Sequence, residues 1–232
     1  MIISHKHKFI FVKTKKVGGT SLELALASIC DEGDIITPTS DEEIRQDLNF
    51  IGPQNYLNTY KDLGKKGTLK LLLGLRERHE KYLRHYSCTR IKEKIGPDIW
   101  NEYYKFTVMR NPYEFIVSHY FSSKREADFK DYLVANPEHL LTNWNIISDD
   151  KNEVLVDHII KYEEYEKGLE IISNKLNLNS NLYDVFKTIS AKTDRRPKSA
   201  TVSEMFKNFE AGKKLIEIIN KEELALGNYE TL

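Results

Sequence analysis

The chain has 232 residues, with 35 Lys plus Arg against 35 Asp plus Glu and a formal net charge of zero. That balance leaves no global field to draw in nucleic acid or a membrane surface, so any basic character is local. The length suits one substantial core and a single domain over residues 1–232. Cys30 and Cys88 form no Cys-x-x-Cys metal or redox pattern and suit a reducing compartment.

Residues 1–12 mix basic and apolar side chains, but the apolar run is too short for a secretory leader. No stretch approaches the roughly 18 apolar residues of a membrane span. His5 and His7 are expected to be exposed. Phe9 to Val12 reads as a buried strand that ends in lysines. Gly18-Gly19 and Thr20-Ser21 follow, then a helical pattern with Leu22, Leu26 and Ile29 on one face. Strand, tight turn and helix start is the order that aims backbone amides at a phosphate. Glycines allow close approach, and Lys16 adds a mobile cation. The nucleotide-triphosphatase loop, G-x-x-x-x-G-K-[ST], does not fit, because here the lysine precedes the glycines. An ordinary turn capped by Thr20 or Ser21 is the plainer alternative.

Residues 31–66 read as loop with short helices, and Thr68 to Leu75 as a second buried strand. Ser87 to Ile95 predicts a short helix stopped by Gly96-Pro97, and Asp98 to Tyr103 another helical turn. A strand through Phe106, Val108 and Met109 is broken by Arg110-Asn111-Pro112, with Pro112 suited to the first position of a helix. Arg110 then stands at the carboxyl end of a strand, where open α/β sheets bind ligands. Ser118 lies about two turns into the helix. A guanidinium fork and a hydroxyl converging there suit a phosphate. Taken singly, a surface ion pair and a solvated serine explain them as well. A strand at Val154 to Tyr162 and helices at Glu163 to Leu176 and 203–219 complete the pattern. The apolar stripe of 203–219, including Phe206, Phe209 and Leu215, is read as core. Alternating strands and helices predict an α/β fold, a three-layer sandwich around a central, mostly parallel sheet.

Lys-x-Gly-Gly-Thr-Ser-Leu at 16–22 and Arg-Asn-Pro-Tyr-Glu at 110–114, with Ser118 beyond, occur in that order. Together they resemble the two cofactor loops of the PAPS-dependent sulfotransferases, in the branch that holds the carbohydrate sulfotransferases. Ile95-Gly96 and the run from Trp100 to Arg110 are similar to the family's approach to its second loop. The family usually places proline before the lysine and threonine after it. Lys15 and Val17 stand there in this chain.

The resemblance implies a P-loop-like sulfotransferase fold. It also implies transfer of a sulfuryl group from 3′-phosphoadenosine 5′-phosphosulfate (PAPS) to an acceptor hydroxyl, with PAP as product and no metal. It places Lys16 at the bridging oxygen, Gly18, Gly19, Thr20 and Ser21 at the 5′-phosphate, and Arg110 with Ser118 at the 3′-phosphate. A late basic loop, Lys192 to Lys198, is expected to close over the cofactor through Arg195 or Arg196. His85 stands where many family members carry a histidine and is the candidate base; His79 is second. The acceptor is expected to be a glycan or small molecule, held by residues 31–66 and 122–150, with Tyr103, Tyr104 and Trp144 as sugar platforms. No nucleic-acid partner is expected, and without a membrane anchor the expectation is a cytoplasmic enzyme of bacterial type. Two readings stay open beside it: a nucleoside or small-molecule kinase with a degenerate phosphate loop, and a non-catalytic nucleotide-binding module.

Overall fold

The computed structural model describes residues 1–75, 79–123, 127–136, 141–189 and 196–232. Strand β1 (Ile2–Ser4) turns back into β2 (Phe9–Val12), with Ile2 opposite Phe11 and Ser4 opposite Phe9. A turn then leads to α1 (Gly19–Ala27) and a short β3 (Ile35–Ile36). Next come α2 (Glu42–Asp47), α3 (Tyr60–Leu72), α4 (Cys88–Ile95) and α5 (Pro97–Glu102), followed by β4 (Tyr104–Met109). Helices α6 (Pro112–Ser122), α7 (Phe129–Ala135) and α8 (Trp144–Ile147) separate it from β5 (His158–Lys161). A 3₁₀ turn at Tyr162–Glu164 opens α9 (Tyr165–Lys175). The later helices are α10 (Leu182–Phe186), α11 (Val202–Met205), α12 (Glu210–Ile219) and α13 (Lys221–Gly227).

The five strands lie in the order β3-β1-β2-β4-β5. β2 pairs parallel with β4 and β4 with β5, whereas β1 pairs antiparallel with both β2 and β3. Among the described strands β2, β3, β4 and β5 therefore run the same way, as the mostly parallel expectation has it, and β1 runs against them, which makes the sheet mixed. The reason is connection length: residues 5–8 are too few for the crossover that a parallel pair needs. β1 and β3, three and two residues long, are too short to announce themselves as a hydrophobic pattern.

Alternate strand residues feed opposite faces of the sheet. Phe9, Phe11, Phe106, Val108 and Ile160 meet Leu22 and Leu26 of α1 and Leu169 and Ile172 of α9. Ile10, Val12 and Met109 meet Cys88 and Ile91 of α4, Trp100 of α5, and Ile146 and Ile147 of α8. Each such side chain contributes roughly 1.5–3 kcal/mol on burial. A third cluster joins Tyr113 and Ile116 of α6 to Phe129 of α7, Phe206 and Ile216. The stripe at 203–219 thus packs as core, although two helices replace the single one expected and Ile218 stays exposed.

Three local expectations change. Thr68 to Leu75 is not a strand but the end of α3 and the turn beyond it, with Leu69, Leu72, Leu73 and Leu75 exposed. Leucine favours helix over strand; the Thr59–Asp62 capping box starts the first part of α3, the backbone breaks at Gly64 with φ 62, and the leucines follow in the second part. His5 and His7 are half-buried rather than exposed: His5 Nδ1 lies 2.7 Å from the Tyr103 hydroxyl, and His7 Nε2 lies 3.0 Å from the Ile29 carbonyl. The helix of Ser87 to Ile95 forms as expected, capped by the Ser87 hydroxyl and ended at Gly96 with φ 89. No described helix is long and apolar enough to cross a membrane.

Asp34 holds the first hairpin to the rest. Its carboxylate accepts from Ser4 Oγ at 2.9 Å and from the amides of His5, Lys6 and Asp31 at 2.6, 3.1 and 3.0 Å. Burial pushes this carboxyl up, but the Asp31 and Lys6 amides, the Ser4 hydroxyl and the His5 amide outweigh it and hold it below 3.8. Asp34→Ala is expected to lower stability at pH 7 by about 1–3 kcal/mol in urea unfolding. Because the folded carboxyl is the more acidic, that advantage is present above pH 3.8 and disappears as pH falls through the folded value, so variant and wild type converge in acid.

Candidate active site

β2 and β4 lie side by side and parallel, so their carboxyl ends open on the same edge of the sheet. From β2 the chain turns back toward β1 and β3; from β4 it goes on to β5. A crevice forms where the two connections part, the place where α/β sheets hold ligands. Two hydroxyls stitch the strand ends together. Thr107 Oγ1 donates to the Val12 carbonyl at 2.7 Å, and Thr14 Oγ1 to the Val108 carbonyl at 2.5 Å.

The crevice is a cavity of about 870 Å³. It brings together Lys16 and Gly18 to Ser21 from the first loop, Arg110 and Ser118 from the second, and His85 and Arg196 from two further segments. Every cofactor-binding and catalytic residue selected from the sequence and lying within the described chain lines it, whereas the second base candidate, His79, does not. Arg195 lies outside the described residues.

The first loop turns through two left-handed positions, Lys16 at φ 58 and Gly18 at φ 66. Glycine adopts this freely; for Lys16 it costs about 1–2 kcal/mol. The turn aims α1 at the cavity, and its first backbone bond runs from Leu22 N to Gly18 O at 3.3 Å. The first-turn amides have no intrahelical acceptor, and no described side chain caps α1. A Cβ on Gly19 would lie 3.2 Å from the Lys13 side chain, a tight contact that Lys13 would have to yield to.

The loop is gripped from behind. Tyr165 Oη donates to the Val17 carbonyl. Asn143 makes a two-way bond with Lys15, its Oδ1 accepting from Lys15 N at 2.8 Å and its Nδ2 donating to Lys15 O at 3.1 Å. Glu223 of α13 in turn accepts from Asn143 N and Thr142 Oγ1. Lys13 pairs with the buried Glu23 of α1.

In the second loop, Asn111 caps α6 by accepting from the amides of Tyr113 and Glu114 at 3.0 and 3.4 Å. Arg110 Nη1 donates to the Lys16 carbonyl at 3.2 Å and Nη2 to Glu114 at 3.1 Å. Its guanidinium sits 4.3 Å from the Tyr162 ring, a cation–π contact. Its Nε is buried with no hydrogen-bond partner among the described residues. A buried donor left unmade is costly, so an acceptor entering the cavity gains from it.

His85 Nδ1 lies 2.9 Å from the Lys13 carbonyl. A carbonyl only accepts, so Nδ1 carries the proton and Nε2 keeps its lone pair. The residue is open to the crevice, yet its ring is crowded by the wall. Desolvation there outweighs the Lys13 bond and lowers its pKa to about 4, leaving it neutral at physiological pH. His79 is exposed, offers its carbonyl to Asn58 and does not line the cavity.

The acceptor segments expected at 31–66 and 122–150 contribute Ser40 and Ser122 to the lining. Tyr103, Tyr104 and Trp144 pack into the core clusters instead of forming platforms. Sequence reasoning missed Arg84, Glu114 and Tyr162 in the lining. Arg84 beside His85 and Glu114 inside the second motif were within its reach; Tyr162 and the supporting Glu223 arrive through tertiary structure alone.

Burial raises the Glu223 carboxyl from 4.5 to about 7, against the Thr142 and Asn143 bonds. The fold keeps a proton that the unfolded chain releases, so this contribution is full below pH 4.5 and fades as pH rises through 7. Thermal midpoints of Glu223→Gln, followed from pH 5 to 8, should lack this decline, whereas an unchanged slope would rule Glu223 out as its source.

The family model described as the sulfotransferase family matches residues 1–221, and no curated protein matches the chain. A match over nearly the whole length places this protein, whose two glycine- and arginine-bearing loops line one cavity, in the sulfotransferase family.

Proposed function

We propose that the protein is an enzyme that transfers a sulfuryl group from PAPS to an acceptor hydroxyl, on a carbohydrate or glycoconjugate. The observation that carries this is the meeting of two separate anion-holding loops, 94 residues apart, in one cavity. A donor with phosphate groups at two positions needs two clamps. The residues present fit it: a helix start that no described side chain caps at one end, and at the other a buried Arg110 Nε with no partner among the described residues. The cavity of about 870 Å³ suits a ligand of nucleotide size.

In this reading the amides of Gly18 to Ser21 hold the 5′-phosphate, and Arg110, Ser118 and Arg196 hold the 3′-phosphate. PAPS, when bound, supplies the electrophilic sulfur and a phosphate leaving group. Lys16 serves to neutralise negative charge at the bridging oxygen, since its loop turns it into the lining. His85 Nε2, unprotonated, is suited to accept the proton of the acceptor hydroxyl. An anion bound nearby raises the imidazole pKa and moves this base toward working pH. A kinase reading has less support, because the lysine-after-glycine arrangement that handles a triphosphate is missing.

Calorimetry with PAP and with adenosine 5′-phosphate tests the assignment. One charge-assisted bond to the 3′-phosphate is worth about 1.5–3 kcal/mol, so PAP is expected to bind at least about tenfold more tightly. Equal affinities would reject it. Lys16→Ala should lower kcat by about 10²–10³ while melting as wild type does. Turnover near the wild-type value in that variant removes Lys16 from the mechanism. For kcat/KM, the acid limb belongs to the free enzyme and should fall below pH 6.5, toward 4, because the folded imidazole is the more acidic. His85→Asn should abolish that limb along with most of the activity.

A further inference from the structure

We infer that Glu114 is a positioning residue whose carboxylate ties Arg196 to Arg110 and thereby shapes the end of the cavity that takes the 3′-phosphate. The inference rests on the reading above for the identity of the ligand, but not for the tie itself. Glu114 Oε2 accepts from Arg110 Nη2 at 3.1 Å and also from Arg196 Nη1. One oxygen thus joins two guanidinium groups that come from positions 86 residues apart, 110 and 196. Without it, two like charges facing one cavity repel each other.

The three side chains are anchored independently. Glu114 stands one turn after Arg110, and its own amide is held by the Asn111 cap of α6. Arg110 is fixed by the Lys16 carbonyl and the Tyr162 ring. Arg196 Nε donates to the Ala200 carbonyl at 2.7 Å, so the position of 196–200 follows that of the guanidinium. Side-chain exposures of 13% for Arg110, 24% for Arg196 and 35% for Glu114 set these pairs apart from freely solvated surface ion pairs.

Each arginine has five N–H donors, and Glu114 takes one from each. Among the described residues, Arg110 Nε still has no partner beside this contact. The carboxylate therefore arranges the pair without consuming the donors that an incoming phosphate needs. Arg196 and its loop would be placed before the ligand arrives, which reduces the ordering cost of binding.

Two physical effects of Glu114 have opposite signs, and that makes the inference decidable. As a bare negative charge, Glu114 repels an anion, so removing it should tighten PAP binding. As a positioning residue, its removal should weaken PAP binding and leave adenosine 5′-phosphate untouched. The experiment compares full-length wild type and Glu114→Gln by calorimetry with both nucleotides, and by amide hydrogen exchange across 196–201. The expected result is a loss of about tenfold or more in PAP affinity, an adenosine 5′-phosphate affinity within about twofold of wild type, and faster exchange at 196–201. PAP affinity that is unchanged or tighter overturns the inference. Glu114→Gln combined with Arg196→Gln should be no worse for PAP than either alone; fully additive losses also overturn it. Should Glu114→Gln not fold, Glu114→Asp, which keeps the charge but falls one methylene short, must show the same selective loss. If wild type binds no PAP at all, the functional reading fails, and exchange at 196–201 alone then decides the tie: faster in the variant supports it, unchanged sinks it.

Discussion

Parallel pairing of β2 with β4 sets Phe9 opposite Tyr104 and Val12 opposite Thr107, and this register is what brings the two cavity-lining loops to one edge. Lys16 leaves one strand end and Arg110 the other, so residues 94 apart in the chain come within hydrogen-bond distance. A slip of one residue would exchange the two faces, moving Phe9 and Phe11 away from α1 and α9 and Ile10 and Val12 away from α4. Both faces are buried, so the penalty would fall on both. The Thr14 and Thr107 hydroxyls add a second lock at the end of the strands nearest the cavity.

Around that edge the protein places cations and orients them with carboxylates, one behind the loop and one in the cavity wall. Glu23 takes Lys13 behind the loop, and Glu114 takes Arg110 and Arg196 beside it. Buried cations left without such partners would shed their charge or repel one another. The backbone is prepared as well. Lys16 holds a left-handed conformation unfavourable for a lysine, kept there by bonds from Asn143 to Lys15 and from Tyr165 to Val17. Glu223 supports Asn143 from α13, so the far end of the chain takes part in shaping the first loop.

His85 shows how position alters chemistry. Alone in sequence, it is one histidine among seven. The Lys13 carbonyl fixes its tautomer, leaving the Nε2 lone pair available, and the wall of the crevice keeps it neutral. His79, only six residues earlier, has the same intrinsic chemistry but lies outside the cavity. The choice between them belongs to geometry.

Much of the site was legible in the sequence because its pieces are local. Phe9 to Val12 followed by Gly18-Gly19, and Met109 followed by Arg110-Asn-Pro, each write a strand end and a helix start in consecutive residues, so periodicity and capping chemistry are enough to read them. By itself the sequence determined two strand–loop–helix units: the loops at 13–18 and 110–111, the helices that follow them and the strands that carry them. It misjudged Thr68 to Leu75, since a leucine-rich run suits either helix or strand until its environment is known. Only the tertiary structure decided that the sheet is mixed, that His85 rather than His79 faces the cavity, and that Glu114 meets Arg196. Those outcomes depend on strand order and on hydrogen bonds between residues tens of positions apart, and such contacts leave no pattern in neighbouring residues.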